Sequence, residues 1–245
     1  MTETAPGAAA DGVIDLLGLL AYAQLVAFFR LSEDAAMASA VDDKAALAEM
    51  AVAEFGHFQM LRRQLGEMSV DPTTVMRPFV AAVDAFHART RPADWLEGLV
   101  KAYVGDGIAA DFYRAVAELL DERTRSVVLG VLADTGHAEF VVSRVRAAIT
   151  DDPQVAGRLA LWARRLVGEA LSEAQRVAAE REPLARLLVG GSASQPAGGS
   201  ASQPAGGSAS EPAGGSASQL GEIGRMFARL TDAHARRMAK LGLVD

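Results

Sequence analysis

The chain has 245 residues, half of them hydrophobic, a net charge of −7 and no cysteine. The length fits one large domain or two small ones, with ample apolar content for a core. The lack of cysteine excludes disulfides, thiolate zinc sites, iron–sulfur clusters and cysteine nucleophiles, so any metal must use oxygen and imidazole ligands. The negative charge argues against non-specific attraction of the whole chain to nucleic acid or an anionic membrane.

Residues 1–12 are small, polar and slightly acidic, and they lack the basic region of a signal peptide. A disordered N-terminus is expected there. The apolar stretch that follows contains Asp15, Gln24 and Arg30. The fourteen residues between Asp15 and Arg30 are fewer than the roughly 20 needed to span a bilayer. A buried core helix, no membrane partner and a cytoplasmic location are therefore expected.

From residue 13 onward the hydrophobic period is helical. A first helix is predicted over about Val13–Ser39 and a second over Lys44–Met68, with Asp71-Pro72 ending the turn that follows. A shorter piece, Val75–Arg89, contains Pro78 and closes at Arg91-Pro92. A third long helix is predicted over Ala93–Leu120, a fourth over Glu122–Ile149 and a fifth over Val155–Val189. No segment shows strand alternation with hairpin turns, so the expected fold class is all-α, with one helical domain over 13–191.

Residues 192–219 form a tandem octapeptide: SASQPAGG twice, SASEPAGG, then SASQ. Gly, Ser, Ala and Pro cannot build a core, so this reads as a flexible tether with an end-to-end distance on the order of 30 Å. A last amphipathic helix is predicted over about Leu220–Leu241, within a C-terminal segment 220–245. Its apolar face carries Leu220, Ile223, Phe227, Leu230 and Leu241 and is expected to dock on the bundle. Arg225, Arg229, Arg236, Arg237 and Lys240 are placed on the opposite face.

Each of the four long helices before the tether that could form a bundle has a polar residue where its stripe calls for an apolar one. Gln24 interrupts Leu17, Leu20, Phe28 and Leu31; Glu54 interrupts Leu47, Ala51, Phe58, Leu61 and Leu65. Asp106 interrupts Leu96, Leu99, Tyr103, Ala110 and Tyr113, and Asp134 interrupts Val127, Val131, Val141 and Val145. An unpaired buried carboxylate costs several kcal/mol. Few cations lie on these stripes, so a metal is the simplest counter-charge.

The spacing points the same way. Glu54 and Asp134 each precede a histidine, His57 and His137, by three residues, which puts acid and imidazole on one helix face. Gln24 to Glu54 is 30 residues and Asp106 to Asp134 is 28. The chain thus reads as two helical hairpins, each offering one polar residue and one acid-x-x-His pair, the di-iron carboxylate arrangement of a four-helix bundle.

Competing residues stand beside these. Asp84 and His87 repeat the spacing, but they lie in the proline-interrupted piece, where a surface or packing role is expected. His234 reads as a satisfied core or interface histidine. Asp111 competes with Asp106 from a neighbouring stripe with Val104 and Ile108. Glu169 and Glu173 could add a ligand, but solvated glutamates are the ordinary account.

The segments AVAEFGHFQMLR, WLEGLVKAYVGDGIAADFYR and LADTGHAEFVV resemble ferritin-like proteins of the MiaE-like group, actinobacterial branch. That group is related to the non-haem di-iron hydroxylase of a hypermodified tRNA adenosine. The resemblance covers about Val13–Val189. It implies a ferritin-like four-helix bundle with additional C-terminal helices and an O2-dependent hydroxylase fed by an electron donor. It also implies two irons per chain, iron over manganese, and the prenyl side chain of a tRNA base as substrate.

Its metal ligands would be Glu54, His57, Asp134 and His137, with Gln24 and Asp106 completing the ends. Gln24 stands where the family pattern has glutamate, and a neutral amide is a weaker ligand, so one iron per chain is the expectation if it disables half the site. Aspartate replaces the usual glutamate at 106 and 134, which shortens the reach. A ferroxidase or iron-handling protein and a metal-free helical scaffold are the competing readings. Phosphate contact by the basic face of the last helix competes with simple solvation.

Overall fold

The computed structural model describes residues 6–132, 137–190 and 214–243; the side chains of 6–9, 106, 188–190 and 214–227 lie outside that description. Every regular element among the described residues is helical. In order they are α1 (Pro6–Met37), α2 (Val41–Glu67), α3 (Pro72–Met76), a 3-10 turn (Arg77–Phe79), α4 (Val80–Arg89) and α5 (Trp95–Ala117). There follow α6 (Glu122–Val131), α7 (His137–Asp151), α8 (Gln154–Glu180), α9 (Glu182–Gly190) and α10 (Gly214–Leu241).

α1 is the central helix. Leu16, Leu17, Leu20 and Ala21 have no exposure, and α1 packs on α2, α9, α3, α5 and α4. By length and composition Ala10–Met37 is apolar enough to cross a membrane. In the fold it is a core helix that carries a buried acid, Asp15, clamped by two hydrogen bonds from Arg181 at 3.0 and 2.5 Å. Two glycines let neighbours approach its backbone. A Cβ at Gly12 would lie 2.6 Å from the Pro183 carbonyl oxygen, and one at Gly18 would lie 2.4 Å from Val75 Cγ1.

The observed helices depart from the predicted ones at five places. The piece predicted over Val75–Arg89 is α3, the 3-10 turn containing Pro78, and α4. α1 begins at Pro6, not at residue 13. Proline is at ease in a first turn and Ala8–Ala10 are the best helix formers, so residues 6–12, expected to be disordered, extend the helix onto α9. The predicted helix over Glu122–Ile149 is two helices: α6 closes at Val131, with Leu132 in a non-helical conformation. Gly130 and the valines beside it are weak helix formers.

The predicted helix over Val155–Val189 also divides, at Arg181 (φ −119°, ψ 84°). A helix continued through Pro183 would set the proline ring against the carbonyl four residues earlier. Finally, α10 starts at Gly214, so 214–219 of the expected tether are helical; no proline follows Pro212 to stop it. The expectations for 1–5 and 192–213 fall outside the described residues.

Two apolar cores fill the molecule. One gathers Leu31, Leu47, Met50, Leu99, Val104, Val141, Val145, Leu159, Leu166 and Leu241 from α1, α2, α5, α7, α8 and α10. The other gathers Leu16, Leu20, Phe58, Leu61, Tyr113, Val116, Val128, Val131 and Leu184 from α1, α2, α5, α6 and α9. α1, α2, α5 and α8 each pass from one core to the other part-way along their length.

Candidate metal centre

On α2 the hand-over between cores falls between Ala51 and Phe58. Glu54 and His57 sit there, one helical turn apart and on one face. His57 Nδ1 lies 3.4 Å from Glu54 Oε2, with both side chains about one-seventh exposed. That is long for a hydrogen bond. It is close to the separation of two donors bound to one ion at bond lengths of about 2.0–2.2 Å, roughly 3 Å or slightly more.

On α1 the same hand-over falls between Ala21 and Leu31, and Gln24 sits in it. The rings of Phe28 and Phe55, 5.2 Å apart, fix the register of the two helices. Gln24 precedes Phe28 by one turn on the same face, which sets it level with the turn of α2 that carries His57. Its Oε1 is buried and has no hydrogen-bond partner among the described residues. A buried carbonyl without a donor costs about 1–3 kcal/mol and is an acceptor fit for a cation.

The other hairpin is described in part. On α5 the hand-over falls between Ile108 and Tyr113; the backbone of Asp106 lies before it, between Val104 and Ile108 of one core, and its side chain is outside the described residues. Asp134 is also outside them. His137 opens α7 and is half-buried. It falls between Val131 of one core and Val141 of the other. Among the described residues, no three His, Asp or Glu side chains converge on one point.

Of the six predicted positions, Gln24, Glu54, His57 and His137 lie where the two cores meet, and the described side chains bring together Glu54, His57 and, by register, Gln24. This donor set fits a divalent metal: one carboxylate, one imidazole, one amide oxygen, all in a partly dry waist.

The competitors are settled by their contacts. Asp111 faces α10, where Arg237 pairs with its carboxylate and Arg114 approaches at 3.2 Å. It is neutralised by guanidinium groups and belongs to a different face of α5. Glu169 and Glu173 both bind Arg89, at 2.7 and 2.9 Å, and Glu173 also binds Arg176. They are neither solvated nor free for a metal. His234 is buried at the α10 interface, but its Nδ1 lacks a partner, so it is not the satisfied histidine expected.

Arg237 corrects another expectation. It is not on the outer face of the last helix; it turns inward over Gly107, where a Cβ would lie 2.2 Å from its Nε. Arg229, Arg236 and Lys240 are exposed as expected, and the Arg225 side chain is outside the described residues.

Sequence reasoning missed a second polar cluster between α1, α4 and α5. Asp34 is buried, with its carboxyl against the backbone at Gly98. Lys101 is buried and donates to the Thr90 carbonyl at 2.7 Å. His87 Nδ1 is buried without a partner, and Tyr22 donates to Asp84 at 2.9 Å. Burial pushes Asp34 up to about 6, against the pull of Lys101. Burial, with Lys101 and Arg30, holds His87 down at about 3. The available signal was Gly98 three residues before Lys101 on α5, a space and a cation on one face.

A family model described as a ferritin-like domain of actinomycetes matches residues 8–191. Comparison with curated proteins found no match.

Proposed function

Since the chain belongs to the ferritin-like domain family of actinomycetes, we propose that its waist holds a dimetal centre and that it is an O2-dependent hydroxylase of the MiaE-like kind. The observation that carries this is the position of the polar residues. Gln24, Glu54, His57 and His137 fall between two apolar cores, and the Gln24 oxygen, without a hydrogen-bond partner among the described residues, sits level with the Glu54–His57 turn.

Glu54, His57, Asp134 and His137 would hold the metals, with Gln24 and Asp106 at the ends. Iron there would supply the reduction of O2 that hydroxylation of an unactivated C–H bond requires. The chain's own contribution is the setting. Phe28, Phe55 and Phe58 line the α1–α2 side with tilted rings in contact. The neutral amide of Gln24 brings less negative charge than a glutamate, which favours a weaker site beside it. For the tRNA expectation, the exposed cations left on α10 are Arg229, Arg236 and Lys240.

The test is the metal content of purified and Fe(II)-reconstituted protein beside a Glu54→Ala, His57→Ala double variant. About two irons per chain, absent in the variant, is the expected result. One iron assigns the deficit to Gln24. No iron in either protein overturns the reading. Iron-dependent O2 uptake without product from a prenylated tRNA base would leave the ferroxidase reading in its place.

A further inference from the structure

α10 lies between α5 and α7. Its Met238, Leu241 and the following Leu243 join Val104, Ile108, Val141 and Val145 in one core, and Leu230 is buried. Arg146 of α7 donates to the Lys240 carbonyl at 2.7 Å, satisfying the end of the helix. An apolar stripe alone defines register poorly, because a slide of one turn puts similar residues in similar places. Arg237 removes that freedom. Its guanidinium lies in the notch left by Gly107 and pairs with Asp111, one turn farther along α5.

The seat is specific and incompletely satisfied. Arg237 Nη1 and His234 Nδ1, one turn apart on α10, are both buried without a hydrogen-bond partner among the described residues. Such atoms favour release of the helix to water.

We propose that α10 is a reversible strap, keyed by Arg237 into Gly107 and Asp111, that opens and closes the α5–α7 side of the bundle. What it uncovers rests on the metal-centre reading: α5 beside Asp106 and the start of α7 at His137. The strap itself does not depend on that reading.

The native chain has no cysteine, so Ala147→Cys and Lys240→Cys, at exposed positions on α7 and α10, can be spin-labelled cleanly in the full-length protein. Pulsed EPR should give one short dominant distance with a minor long population. Asp111→Asn and Gly107→Ala should each raise the long population by about tenfold. A distribution unchanged by both variants overturns the proposal. A control pair, Glu33→Cys and Glu49→Cys, reports the α1–α2 hairpin; if it shifts with α10, the strap is not a separate unit and the proposal falls. Cobalt(II) uptake should quicken in Gly107→Ala. Unchanged uptake with an opened strap would count against the placement of the metal centre and leave the strap standing.

Discussion

Asp34 and His87 sit in one cluster and respond to pH in opposite senses. The Asp34 carboxyl is raised from the ordinary value near 4 to about 6 by burial. The folded state therefore keeps a proton that the unfolded chain gives up, and stability falls as pH rises from about 4 through 6. His87 is depressed from about 6.5 to about 3, again first by burial. Its contribution is complete above about 6.5 and is lost as pH falls toward 3. Between about pH 4 and 6 the two slopes offset each other. Urea unfolding across pH 4–7 should therefore show a shallow profile for the native chain. Asp34→Asn should leave a steep loss of stability toward acid, and His87→Leu should leave stability falling toward neutral pH. Identical profiles for all three would remove the cluster from the pH response. A stripe-by-stripe reading passes over this cluster, because Asp34 and His87 lie on helix faces that look solvated until α1, α4 and α5 are packed together.

At the scale of the helices, backbone contacts decide what a substitution does. α3 crosses α1 at Gly18, where a Cβ would meet Val75 Cγ1 at 2.4 Å and the Val75 carbonyl oxygen at 2.8 Å. Backbone cannot swing aside as a side-chain tip can. Gly18→Ala should cost about 1–3 kcal/mol as overpacking, read as a lower urea midpoint at unchanged slope. A midpoint within error of the native chain would mean that α3 is free to lift off. The helices themselves were largely legible, because their apolar period runs unbroken for several turns. The breaks at Leu132 and Arg181 were not, although Pro183 was a sufficient signal for the second. The first breaks at valines and a glycine, residues that weaken a helix without forbidding it.

For the molecule as a whole, the joint between two cores is the feature that a metal would change. The 30-residue spacing between Gln24 and Glu54 put both residues at one level of a hairpin, and the Phe28–Phe55 contact agrees. The proximity of Gln24 to the Glu54–His57 turn was legible for that reason. The choice between Asp106 and Asp111 was not, since it depends on where α10 seats, and a repeat of Gly, Ser, Ala and Pro carries no register. The same joint yields the last prediction. At that joint Gln24 Oε1 is buried without a hydrogen-bond partner among the described residues, and a metal held there by the folded chain would act on the folded state alone. A ligand at 100 times its Kd adds about 2.7 kcal/mol, which in a chain of this size raises Tm by about 5 °C or more. Fe(II) added anaerobically should produce that rise in the native protein and none in Glu54→Ala, His57→Ala. Asp111→Asn should keep it, because that carboxylate serves the tail helix. A rise that survives the double variant would move the metal elsewhere, and a rise abolished by Asp111→Asn would place it on the α10 face of α5.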